Sequence, residues 1–61
     1  MTKYVVVEDM RFMWDDPNDI EDVAEFDTAE EAEAYIGNVF NFIEWEGQFH
    51  QIYWVVKREV A

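Results

Sequence analysis

Asp27-Thr28-Ala29-Glu30-Glu31-Ala32-Glu33-Ala34-Tyr35-Ile36-Gly37-Asn38-Val39-Phe40-Asn41-Phe42 is the stretch on which the fold turns. Thr28 as N-cap puts Glu31 at the third helical position, whereas Asp27 as N-cap puts Glu30 there, and both choices mark a helix start. The carboxylates then lie at the positive end of the helix dipole. At 100° per residue, Ala29, Ala32, Ile36, Val39, Phe40 and Ile43 fall within one arc of about 100°, flanked by Tyr35 and Phe42. The unbroken stripe predicts a helix continuing to about residue 42, with its apolar face on a sheet. Gly37-Asn38 offers an alternative end. In that case residues 39–45 become a strand, joined to the next by a turn around Glu46-Gly47.

Upstream, Lys3-Tyr4-Val5-Val6-Val7-Glu8 is β-branched and aromatic over the length of a strand, and three consecutive valines suit a mid-sheet position. Met10, Phe12 and Trp14 alternate with Arg11 and Met13, which extends the pairing through a bend to about Trp14. Asp15-Asp16-Pro17-Asn18-Asp19 is a loop, because Pro lacks a donor and Asp and Asn bond locally. Ile20–Phe26 reads as an acidic edge strand, with Ile20, Ala24 and Phe26 on one side and Glu21, Val23 and Glu25 on the other. Phe49–Arg58 forms the last strand. The fold class expected is α+β: a single domain over 1–61, β-β-α-β, with a three-stranded antiparallel sheet in the order 2-1-3 and one helix on one face. The opposite face then exposes aromatics, Trp14, Tyr53 and Trp54 among them. That exposure implies a partner surface or a homodimer.

The 61 residues carry 51% apolar and 18% aromatic side chains, too much for a disordered acidic tail. A chain this short buries only about 60% of its unfolded surface and so needs large side chains. The eight valines and eleven aromatics meet that need. Cys, Ser and Leu are absent, which excludes a disulfide framework and a thiolate zinc site. The N-terminal apolar run is too brief for a secretory signal and nothing approaches the roughly 20 residues of a membrane span. A soluble cytoplasmic protein is expected, without direct membrane or nucleic-acid binding, since the net charge is −11.

Candidates for catalysis are few. His50 stands alone, without Cys or Ser to activate, in a strand whose aromatics suit packing. Paired acids such as Asp15-Asp16 or Glu30-Glu31 have too little chain around them to wall off a dry cleft. Asp15, Asp16, Asn18, Asp19, Glu21 and Asp22 concentrate oxygen ligands, yet Pro17 interrupts calcium-loop spacing and no glycine supplies the sharp turn. Trp14, Trp45 and Trp54 lack the Lys and Arg that hold phosphates beside stacked bases. The expectation is a protein that is not an enzyme, with no cofactor and no metal.

The acid itself is unevenly placed. Residues 8–33 hold twelve of the fifteen carboxylates and a single base, Arg11, while Lys57 and Arg58 close the last strand. Clustering like charge costs stability, so the field has a use or is compensated by salt. At a radius of gyration of about 10 Å, eleven charges give a surface density of the order of duplex DNA, with one charge per about 1.7 Å.

In acidity, size and lack of catalytic motifs the chain resembles small phage-encoded DNA mimics, the class of anti-CRISPR proteins, anti-restriction proteins and inhibitors of uracil-DNA glycosylase. That resemblance implies an inhibitor occupying the basic groove of a nuclease or nucleic-acid-binding protein in the host cytoplasm. The partner-binding residues would be Asp15, Asp16, Asp19, Glu21, Asp22, Glu25, Glu30, Glu31 and Glu33, with Trp14, Tyr53 and Trp54 adding apolar contacts. The competing readings are a small protein-binding or homodimerising module that docks through the aromatic sheet face, and an acidic surface serving only solubility or life in high salt.

Overall fold

The computed structural model describes residues 1–60. Strands β1 (Thr2–Asp9), β2 (Ile20–Phe26) and β5 (Tyr53–Glu59) form an antiparallel sheet in the order β2-β1-β5. Helix α1 (Arg11–Trp14) and helix α2 (Ala29–Gly37) follow β1 and β2, and β3 (Phe42–Trp45) pairs with β4 (Gln48–Gln51) as a separate hairpin. The Val-rich strand is central, as its composition requires. Val5, Val6 and Val7 form the core together with Ala32 and Ile52.

Residues opposite one another in an antiparallel pair share a face, and alternate residues along a strand change face. Tyr4, Val6 and Glu8 therefore lie with Phe26, Ala24 and Glu21 on one side and with Lys57, Val55 and Tyr53 on the other. Phe26 packs on Tyr35 at 5.7 Å between ring centroids, which places α2 on this face. Val5 is on the opposite face and yet only 1% exposed. Arg58 sits opposite Lys3 and bonds Asp22, which sits opposite Val7, so its stem crosses directly over Val5.

Several expectations need correction. The pairing of β1 stops at Asp9 rather than continuing to Trp14. The Asp9 carboxylate accepts the Arg11 N–H at 3.0 Å and Met10 donates to the Asp19 carbonyl, turning the chain into α1, so the described residues hold two helices rather than one. Helix α2 ends at Gly37 and does not reach residue 42. Asn38 closes it, its side-chain amide donating to the Ala34 carbonyl at 2.8 Å and its N–H to the Tyr35 carbonyl.

Beyond it the chain forms β3, and Glu46 and Gly47, at φ 52° and 79°, make the two-residue turn into β4. This is the alternative that Gly37-Asn38 left open. The predicted last strand is two strands, broken at Ile52, whose N–H donates to the Asn41 carbonyl and whose carbonyl accepts from Asp9. Within β2 a bulge leaves Val23 without a partner between Asp22 and Ala24, so Ile20 faces away from Ala24 and Phe26 instead of sharing their side.

Candidate functional site

The acidic residues follow one edge of the sheet. Among the described residues strand β2 pairs with β1 alone. Loop 15–19 enters one end of β2 and α2 leaves from the other. Seven residues at about 3.3 Å each make this edge roughly 23 Å long.

In the loop, Asp15 stands in left-handed conformation at the C-terminus of α1, and the Asp16 carboxylate accepts the Asn18 N–H at 2.9 Å. Asp19 is half-buried where its carbonyl receives Met10. On β2, Glu21 lies on the α2 face opposite Glu8, while Asp22 and Glu25 lie on the other.

At the start of α2 the Thr28 hydroxyl accepts the Glu31 N–H at 3.2 Å and donates to its carboxylate at 3.0 Å, the predicted capping pair. Glu30, Glu31 and Glu33 are exposed.

Three ion pairs occur among the described residues, Lys3–Asp27, Arg11–Asp9 and Arg58–Asp22. Of the nine acidic candidates, Asp22 alone is thus neutralised. The edge keeps eight carboxylates free of ion pairs along the loop, the strand and the first helical turns. Tyr53 donates to Glu8 at 2.8 Å, and that hydrogen bond with a carboxylate pushes the phenol up from its ordinary range. This bond also anchors Glu8 where it faces the like charge of Glu21.

The apolar candidates separate. Trp14 is 65% exposed at the end of α1, whereas Tyr53 is half-buried on the α2 face and Trp54 half-buried on the other. A cleft of about 550 Å³, open to solvent, is lined by Asp9, Arg11, Phe12, Phe49, His50, Gln51 and Trp54. His50 stacks parallel on Phe12 with centroids 4.2 Å apart, which is a packing role. Asp9 is buried and receives Nε and Nη2 of Arg11 at 2.9 and 2.6 Å. These bonds hold its carboxyl below the ordinary range, against the opposing effect of burial. Among the described residues no group of three or more His, Asp or Glu is placed to hold a metal ion, and no helix is long and apolar enough to cross a membrane.

The sequence reading missed the hairpin as a surface. Phe42 and Phe49 lie diagonally on one face of β3-β4, 60% and 74% exposed, and Phe40, two residues ahead of β3, is 90% exposed. The strand reading of residues 39–45 was the signal that would have exposed them.

No family model, curated protein or solved structure matches the chain.

Proposed function

We propose that the protein is a non-catalytic acidic inhibitor that occupies the basic groove of a DNA- or RNA-binding protein in place of nucleic acid. The observation that carries the reading is the run of nine carboxylates along loop 15–19, β2 and the start of α2, all but Asp22 free of ion pairs among the described residues. The molecule is a slab of 39 × 24 × 12 Å with a radius of gyration of 12.6 Å, longer than a sphere of this length of chain. Over 39 Å a duplex carries about 23 phosphate charges, so the net −11 amounts to roughly half that linear density. A groove shaped for phosphates meets a field of the same sign and order. Steering between opposite charges makes association fast and strongly salt-dependent.

The test is retention of nucleic-acid-handling proteins from a bacterial lysate across a salt ladder, followed by direct competition with DNA for the protein retained. Reversing Asp15 and Asp16, or Glu30 and Glu31, to Lys is expected to abolish retention with the fold intact. Undiminished retention by both double variants would overturn the reading. A second reading, a module that docks a protein through apolar contact, draws on the exposure of Phe40, Phe42 and Phe49. It predicts that Phe42→Ser with Phe49→Ser removes binding while the charge reversals do not.

A further inference from the structure

The two edges of the three-stranded sheet are protected unequally. Strand β2 carries a bulge and the acidic side chains, both of which discourage a further strand. Strand β5 has no bulge and a single acid, Glu59, and its unpaired groups can be enumerated. Val60 exchanges backbone bonds with Met1, and Ile52 accepts from Asp9, so even-numbered residues of this register turn their N–H and C=O toward β1. Odd-numbered residues turn theirs outward. Tyr53 is one of these, and its two outward groups are occupied: its N–H donates to the Asn41 side chain at 2.7 Å and its carbonyl accepts from Gln51 at 2.8 Å. Val55, Lys57 and Glu59 follow with outward groups that meet no partner among the described residues.

We propose that this edge pairs antiparallel with β5 of a second copy, with Val56 on the two-fold axis. A two-fold axis normal to the sheet preserves faces, so only alternate registers are allowed. Centring on Val56 places Val55 opposite Lys57 of the second copy, and the reverse, giving two pairs that each exchange both backbone bonds. Centring on Val55 wastes the outer pairs on Tyr53, which is already satisfied. Centring on Lys57 sets two ammonium groups face to face. The result is a six-stranded sheet, β2-β1-β5-β5-β1-β2, with the two acidic rims about 24 Å apart, well beyond the Debye length of about 8 Å. The β5 edge sets Lys57 against Glu59, with Arg58 drawn away to Asp22, and so lacks the excess of acid on β2 that keeps like-charged copies apart. It does not involve the β2 carboxylates and stands apart from the inhibitor reading.

Edge pairing buries less than a standard interface of about 1,600 Å², so association is weak and concentration-dependent. Sedimentation equilibrium from about 10 μM to about 1 mM brackets that range. The expected result is a mass rising toward two chains, more readily in higher salt as repulsion is screened. Lys57→Pro removes an outward N–H without touching the β1 ladder and is expected to weaken association at least about tenfold, the scale of a lost pairing. Val56→Cys introduces a thiol on the axis of a chain that has none, and is expected to cross-link under mild oxidation far faster than Val23→Cys on the opposite edge. A wild-type chain that stays monomeric throughout overturns the proposal. So does association that survives Lys57→Pro, or equal cross-linking at positions 56 and 23, the comparison that decides if the proline variant fails to fold.

Discussion

The sheet with α2 and the β3-β4 hairpin are built to different standards. Val5, Val6, Val7 and Ala32 leave almost no surface in the first, whereas in the second only Ile43 and His50 are half-buried and every other residue is exposed. The hairpin is held at its root instead, by the Asn41 carbonyl on Ile52, the Asn41 side chain on Tyr53, and the stack of Phe12 on His50. The difference teaches that this small chain concentrates apolar burial in one layer and positions the rest by polar contacts. A region of few buried contacts opens locally before the whole does.

Substitutions can separate the two regions. Val6→Ala removes two methyl groups from a fully buried site and is expected to lower global stability by about 2–3 kcal/mol. For a chain of this length that is a fall in Tm of at least about 10 °C, read by thermal unfolding. Asn41→Ala leaves the Tyr53 N–H without its acceptor and is expected to cost about 1–2 kcal/mol. Hydrogen exchange is expected to report that loss first at residues 42–51, with β1 amides still protected. Equal acceleration in β1 would dissolve the distinction between the two regions.

Gly47→Ala places a Cβ at φ 79° and is expected to cost about 1 kcal/mol, again felt in the hairpin. Glu46→Asn, which suits a left-handed turn position, is expected to add a few tenths of a kcal/mol and to slow exchange there.

Acid sharpens the contrast from the side of the sheet. Because the Asp9 carboxyl is depressed in the fold, its contribution is present above the ordinary carboxylate range and lost as pH falls through the lowered value. Asp9→Asn is therefore expected to flatten the loss of stability below about pH 4, measured by urea unfolding against pH. Tyr53 has the opposite sense: its phenol is raised, so its contribution is present below the ordinary tyrosine value and lost above it. Tyr53→Phe should remove that alkaline loss.

Much of the sheet was legible because its signals are local. Three valines in a row, the Asp-Pro-Asn loop and the Thr28–Glu31 cap each state a backbone preference within a few residues. The same acidity that marked Ile20–Phe26 as an edge placed eight of the nine candidate carboxylates on a flank without ion pairs. Residues 38–52 were not legible in that way. Val39, Phe40, Phe42 and Ile43 satisfy a helical stripe and a strand equally, so periodicity alone leaves the choice open.

What the sequence by itself determined is a Val-rich central strand, an acidic edge, a capped helix start and a net charge of −11, since each follows from side-chain chemistry near its own backbone. What only the tertiary structure decided is where α2 stops, the break at Ile52 and the bulge at Val23. Each depends on distant partners: the β4 strand that faces Phe42–Trp45, Asn41 and Asp9 for the backbone bonds of Ile52, and the β1 register for Val23.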